Sequence, residues 1–229
     1  MAFCKVFKTF ATKMTELYLK NHGSMKEPTE EGLLVQRALE KSWDYPQYRE
    51  LIRKQVDEGR TSGLNQAEEY VYYTLLNHKR MRRWEKKTRL PADPGEATQR
   101  LQEPRIWLVL TETWCGDAAP VLPVMYALAC RTEGLDLRIA MRDEHTELID
   151  RFLTNNARSI PKLLVVRPSD YRVVDSWGPR PREAAQMVEA YREKHGKLTA
   201  ELRESLQKWY NQDRGESLFR ELSGLLALE

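Results

Sequence analysis

Cysteine is scarce in this chain, which has three among its 229 residues, namely Cys4, Cys115 and Cys130. An odd number at these spacings gives no disulfide framework, as expected in a reducing cytoplasm. The four histidines form no metal-ligand spacing with the cysteines, so we predict no metal site and no cofactor. No phosphate-binding glycine loop, serine nucleophile motif or paired-carboxylate site stands out either.

Long apolar runs are also absent. None approaches the roughly 20 residues that a membrane-spanning helix needs, and the basic start of the chain has no sustained apolar stretch. We therefore predict no export signal, no membrane partner and a cytoplasmic location. The segment before Met25 has no clear pattern, and the sequence leaves open whether it belongs to the native chain or whether that chain starts at Met14 or Met25.

Net charge is small, at +3, and does not by itself indicate a polyanion partner. Seven Lys or Arg residues nevertheless cluster within 77–90, where Arg82, Arg83 and Trp84 are candidate contacts to phosphates or bases. We favour a solvated helix face that packs through Met81 and Trp84, and we predict no nucleic-acid partner.

What the sequence does contain is a change of pattern along the chain. We predict a mobile tail at 1–28, a helical extension at 29–95, an α/β domain at 96–195 and C-terminal helices at 196–229. Those last helices are expected to pack on the α/β domain or on the N-terminal helices, with a dimer seam as the less favoured use. The oligomeric state stays open.

The segment 96–195 alternates between patterns typical of strands and patterns typical of helices. Apolar or alternating runs predict strands, and amphipathic runs predict helices. The order is βαβα followed by a β-hairpin and a helix, which indicates an α/β fold with a mixed sheet flanked by helices. The predicted strands are 106–110, 135–141, 162–166 and 171–177, and the predicted helices are 117–131, 144–153 and the segment from Arg182 onward.

The clearest chemical feature is Cys115, which lies between a predicted strand and a predicted helix. The free N–H groups and the dipole at a helix start stabilise a thiolate, whereas the neighbouring Asp117 carboxylate disfavours one. Cys115 is therefore a candidate nucleophile, and a half-buried inert cysteine beside an ordinary helix-start acid is the alternative. Glu112 is a candidate proton relay, although we favour a surface acid there, and Cys130 is predicted to be a small core side chain.

Three features of this segment occur together: Trp114-Cys115-Gly116, Pro123, and Ser159-Ile160-Pro161 running into a strand. They resemble the thioredoxin superfamily over about residues 103–195. The resemblance implies that Cys115 is the attacking thiol, that Pro123 kinks the following helix, and that Pro161 follows a cis bond. Ile160 would then offer backbone hydrogen bonds to an extended substrate.

The chain also departs from the thioredoxin pattern. Ala118 stands at the position of the resolving cysteine, Asp117 at that of the proline, and Val109 at that of the buried acid. Without a resolving thiol, a mixed disulfide at Cys115 is not released by intramolecular attack. The site Trp114 to Ala118, with helices before the domain, resembles a subgroup of bacterial thioredoxin-like proteins.

Two functions follow as hypotheses. In the first, Cys115 is the catalytic thiol of a monothiol redox protein, Ile160 and Pro161 orient a protein or small disulfide substrate, and an external thiol is the reductant. In the second, the chain is a non-catalytic module that binds an extended peptide or a partner protein in the groove beside Cys115 and Pro161. Whether the chain is an enzyme depends on which hypothesis holds.

Overall fold

The computed structural model describes residues 27–88, 100–197 and 199–226. The predicted tail therefore lies outside the described residues up to position 26, as does the predicted boundary at 95/96. Twelve elements follow along the described chain: α1 Glu30–Glu40, α2 Tyr45–Asp57, α3 Glu68–Lys87, β1 Arg100–Thr111, α4 Ala118–Ala129, β2 Glu133–Met141, α5 Thr146–Ile149, β3 Lys162–Val166, β4 Val173–Trp177, α6 Arg182–His195, α7 Ala200–Asp213 and α8 Glu216–Leu226.

The four strands form one mixed sheet in the order β2-β1-β3-β4. Strand β1 runs parallel to β2 and antiparallel to β3, and β3 pairs antiparallel with β4. Trp107, in the central strand, lies opposite Leu137 on one side and Val165 on the other. The predicted α/β fold with a mixed, helix-flanked sheet is confirmed.

Side chains of β1 alternate between two hydrophobic layers, because successive residues of a strand point to opposite faces. Trp107 and Val109 enter a core shared with α2, α3, α4 and α8. Ile106, Leu108 and Leu110 enter a second core, shared with α1 and α5. All five residues are almost completely buried, so the strand reads as a continuous apolar run.

Two predicted elements are shorter than their patterns suggested. The helix expected at 144–153 is a 3-10 turn, Arg142–Glu144, followed by the single-turn α5. It ends early because the hydrogen bonds after Ile149 become those of tight turns, from Arg151 N–H to Leu148 O and from Phe152 N–H to Ile149 O, and Asn155 and Asn156, which follow, both have positive φ. The strand expected from Tyr171 begins at Val173, since Tyr171 also has a positive φ.

The N-terminal helices are attached to the sheet through backbone and side-chain contacts. Trp43 exchanges two backbone hydrogen bonds, of 2.8 and 2.9 Å, with Ile139 of β2, and Asp44 forms a capping box at the start of α2. Met81 and Trp84 are buried, as predicted, so the Trp84 ring is not available to stack on a base. No helix within the described residues is both long and apolar enough to cross a membrane.

Asp136 is a buried carboxyl in β2, and we predict that it costs stability at neutral pH. It is 8% exposed, its Oδ2 has no hydrogen-bond partner within the described residues, and burial raises its pKa to about 6. Because the folded-state pKa is raised, the carboxyl favours folding below its unfolded pKa, and this contribution is lost as pH rises through about 6.

Asp136→Asn removes this titration. We expect the variant to gain up to roughly 2–3 kcal/mol of unfolding free energy relative to the native chain between pH 4 and pH 7, measured by urea denaturation across that range. Glu133→Gln, at an exposed acid of the same strand, is the control. Its unfolding free energy is expected to differ from that of the native chain by the same amount at every pH. A constant difference between Asp136→Asn and the native chain would contradict the prediction.

Candidate functional site

Cys115 lies in the short loop between β1 and α4, at the carboxyl end of the central strand. Its backbone N–H donates to Glu112 O at 3.0 Å, and its Sγ–H donates to the carbonyl oxygen of Ile160 at 3.3 Å. The Ile160–Pro161 peptide bond is cis. The structure therefore brings together Cys115 and the segment before Pro161, which are more than forty residues apart in the sequence.

The thiol is enclosed rather than open to solvent. Cys115 is 6% exposed and belongs to the same core cluster as Tyr48, from the N-terminal extension, and Tyr210, from α7. Burial, followed by nearby negative charge that includes the Cys115 thiolate, raises the pKa of each tyrosine. Both extensions thus reach the thiol.

Burial, and after it the Asp117 carboxylate, raise the pKa of the Cys115 thiol to about 12. The backbone N–H groups of Ala118 and Asp117 and the Arg180 guanidinium act against this rise. Desolvation therefore outweighs the helix N-terminus in this arrangement. The thiol is protonated near neutral pH.

Asp117 does not act as an ordinary helix-start acid, because its side chain makes no cap hydrogen bond in α4. Its carboxylate forms an ion pair with Arg180 at 2.5 Å and accepts a 3.2 Å hydrogen bond from the Tyr210 hydroxyl. Arg180 Nε has no hydrogen-bond partner within the described residues. Asp117 is thus held by the loop after β4 and by α7.

Gly178 brings the Arg180 loop against the segment that contains Pro161. A β-carbon at Gly178 would lie 2.2 Å from the Pro161 carbonyl oxygen, and the residue has a φ of +120°. Only glycine fits this approach. The loop that carries Arg180 is therefore packed directly on the backbone of Pro161.

Trp114 and Gly116 face the N-terminal extension and the segment after β2. The Trp114 ring packs on Tyr70, with ring centroids 4.9 Å apart, and the Arg142 guanidinium carbon lies over the Trp114 ring, 5.2 Å from its centroid. A β-carbon at Gly116 would lie 3.8 Å from Arg80 Nη1. The segment from Trp114 to Gly116 is thus bordered by arginines from two different parts of the chain.

Glu112 is buried, so the surface acid favoured from the sequence is wrong. It is completely inaccessible to solvent, accepts a short hydrogen bond from the Ser62 hydroxyl and accepts a 2.9 Å bond from the Asp143 N–H. Burial raises its pKa, while these two donors lower it. The carboxyl is a structural acceptor that joins three segments of the chain.

The same polar cluster fixes the residue after Glu112. Thr113 N–H donates to Ser62 Oγ at 2.9 Å, Ser62 N–H donates to Thr113 Oγ1 at 3.0 Å, and the Asn77 amide donates to the Thr113 carbonyl at 3.1 Å. The loop before Cys115 is therefore hydrogen-bonded to the extension on both its backbone and its side chains.

The remaining predicted positions are divided between core and surface. Val109 and Ala118 are buried in the same cluster as Cys115, and Pro123 lies inside α4. Cys130 is exposed, so its predicted core role is wrong: α4 ends at Ala129, and Cys130 follows as its C-cap. Within the described residues no group of His, Cys, Asp or Glu could hold a metal ion.

Four residues of the site carry no sequence signal of their own: Tyr48, Ser62, Arg180 and Tyr210. Each lies in a segment far from Cys115 in sequence and reaches it only through tertiary packing. Ser62 belongs to the turn Thr61-Ser62-Gly63. The sequence indicated the turn but not that Ser62 bonds to Glu112 and Thr113. Pro179 and Gly178, next to Arg180, marked a loop without indicating where it packs.

A thioredoxin family model matches residues 63–192, more than half of the chain. The chain therefore belongs to the thioredoxin family, as the resemblance of its Trp-Cys-Gly segment indicated. No curated protein matches it.

Two solved structures match this chain. A protein of unknown function from Pseudomonas aeruginosa is 18% identical, with a TM-score of 0.48 over 78% of this chain and 96% of that one. An HIV epitope scaffold is 16% identical, with a TM-score of 0.44 over 76% of this chain and 99% of that one.

Proposed function

We propose that this chain is a redox protein of the thioredoxin family that works with a single thiol, Cys115. The observation that supports this most directly is the 3.3 Å contact between Cys115 Sγ and the Ile160 carbonyl oxygen. An extended substrate that pairs with the backbone of Ile160 would bring its own sulfur next to Cys115. The same substrate would compete for the carbonyl that the thiol now occupies.

The proposed reaction is one thiol–disulfide exchange. Cys115 loses its proton, and its sulfur attacks one sulfur of the substrate disulfide, so that a new S–S bond forms while the old one breaks. The departing sulfur takes the bonding electron pair and a proton. Because Ala118 offers no second thiol, an external low-molecular-weight or protein thiol attacks the mixed disulfide and restores Cys115.

The enclosed arrangement stores the thiol in its unreactive form. With a pKa near 12, only about one thiol in 10⁵ is ionised at pH 7. Attack therefore requires that substrate entry displaces the Ile160 contact and admits polar groups or solvent. In this proposal the substrate itself opens the site.

The non-catalytic module remains a second candidate function, and one observation favours it. Cys115 is almost fully buried with a strongly raised pKa, which is the environment of an inert structural cysteine. In this case the groove beside Cys115 and Pro161 would hold an extended peptide or a partner protein, and the thiol would take no part.

Exchange at Cys115 separates the two candidates. In a Cys4→Ser, Cys130→Ser background, we expect oxidised glutathione or 2,2′-dithiodipyridine to form a mixed disulfide at Cys115 of the folded chain, located by mass spectrometry, and dithiothreitol to release it. Adding Cys115→Ser supplies the blank. Modification that occurs only after unfolding in urea would overturn the redox proposal and leave the binding module.

A further inference from the structure

Arg80 is a partly buried cation beside the active-site segment without a carboxylate partner. No Asp or Glu of the described residues lies within 4.0 Å of it, and its side chain makes a single long hydrogen bond, 3.5 Å from Nη1 to Asn77 Oδ1. Burial lowers its pKa, and Tyr73, Tyr72 and, to a smaller extent, Asp117 oppose that effect. A guanidinium in such a position has unused donors.

The nearest acid, Asp117, is already engaged. Its carboxylate pairs with Arg180 and accepts from Tyr210, so one negative charge stands beside two guanidinium groups. The other cation at the site, Arg142, is paired with Asp143 at 2.7 Å. Of the three guanidinium groups at the site, Arg80 is therefore the one that has no ion-pair partner among the described residues.

The position of Arg80 links that charge to the thiol. Its Nη1 lies 3.8 Å from where a β-carbon of Gly116 would stand, and Gly116 directly follows Cys115. The absent side chain at Gly116 leaves the guanidinium accessible to a group that approaches the sulfur. A planar guanidinium binds a carboxylate through two parallel hydrogen bonds.

We propose that Arg80 binds a carboxylate of the substrate, and that the substrate is a small carboxylate-bearing disulfide. This rests on the proposed single-thiol exchange and adds the chemical class of the substrate. The small size follows from the burial of Cys115, which is 6% exposed and shares its core cluster with Tyr48 and Tyr210. Arg80 binds the substrate carboxylate and takes no part in bond making or breaking. The reaction at sulfur is the thiol–disulfide exchange of Cys115 described under the proposed function.

The test compares two disulfide probes that differ in charge. 5,5′-Dithiobis(2-nitrobenzoate) carries two carboxylates, and 2,2′-dithiodipyridine is neutral at pH 8. The ratio of their second-order rates with Cys115, in the Cys4→Ser, Cys130→Ser background, measures anion recognition. Any change in the Cys115 pKa, or in how readily the site opens, affects both rates and cancels in the ratio.

We expect Arg80→Gln to lower the ratio about tenfold, and Arg80→Lys to lower it less, because the charge remains while the pair of parallel hydrogen bonds is lost. Arg82→Gln is the matched control: it removes the same charge from an exposed position on the same helix, and its ratio should equal that of the unsubstituted background. Raising the salt concentration should reduce the preference of the background chain and leave Arg80→Gln nearly unchanged.

Two other results have different meanings. Reaction with both probes at a ratio that Arg80→Gln leaves unchanged would overturn the carboxylate site, while the single-thiol function would stand. Absence of reaction with either probe in the folded background chain would overturn the single-thiol function, and the substrate assignment with it. Circular dichroism of Arg80→Gln and Arg80→Lys confirms that both variants are folded when the ratios are compared.

Discussion

Gly178→Ala is expected to lower the free energy of unfolding by about 4 kcal/mol. The new methyl group would stand 2.2 Å from the Pro161 carbonyl oxygen, a backbone atom that cannot move aside alone. Overpacking costs about 1–3 kcal/mol, and the backbone at a φ of +120° adds a strain of about 1–3 kcal/mol. Urea denaturation of the two proteins measures the difference.

Gly59→Ala separates the two contributions. Gly59 also has a positive φ, +63°, but a β-carbon there meets nothing within 4 Å. Its alanine variant should lose only about 1 kcal/mol. If both variants lose the same free energy of unfolding, the clash between the new methyl group and the Pro161 carbonyl oxygen adds nothing to the cost of Gly178→Ala.

Asp117→Asn is expected to make Cys115 alkylate about tenfold faster at pH 8. The substitution removes the negative charge that raises the thiol pKa after burial, and it leaves the Arg180 guanidinium unneutralised beside the sulfur. Each unit by which the pKa falls raises the thiolate fraction tenfold in this range. Rates with iodoacetamide between pH 7 and pH 9, in the Cys4→Ser, Cys130→Ser background, test this.

Asp150→Asn is the control for a general change of charge. Asp150 is a surface acid paired with Arg158 at 2.6 Å, and its replacement should leave the Cys115 rate unaltered. Equal or slower alkylation in Asp117→Asn would mean that desolvation alone sets the thiol pKa. The native rate itself should rise tenfold per pH unit without a plateau below pH 10, because the pKa lies near 12.

The fold was readable from local patterns, because each buried strand shows itself within its own few residues. Strand β3 matches its predicted bounds, 162–166. A five-residue apolar run between a proline and a turn is too short for a buried helix and is typical of a buried strand. The region 144–153 was less readable because its helical pattern competes with a turn. The positive φ values at Asn155 and Asn156 are tertiary choices that a single-sequence pattern does not fix.

The sequence predicted the site residues that lie in local motifs, but not the contacts between segments that are distant in sequence. Cys115, Asp117 and Pro161 could be named from their neighbours in sequence. The opposing effects of the helix N-terminus and Asp117 on the thiol were also foreseen, but the larger effect, desolvation, depends on helices α2 and α7. Glu112 was misjudged for the same reason, since its donor Ser62 stands fifty residues earlier.

The bonds between Ser62, Thr113 and Asn77 have a consequence for how the molecule comes apart. A domain boundary at 95/96 would place Ser62 and Asn77 on one side and their hydrogen-bond partner Thr113 on the other. All three residues are buried, so water does not reach these groups to replace the bonds. Exposing the loop before Cys115 therefore requires the loss of contacts with α3 and with the loop between α2 and α3, and not only the fraying of a surface loop. Hydrogen exchange of the Thr113 amide should then follow cooperative opening of the extension together with the sheet.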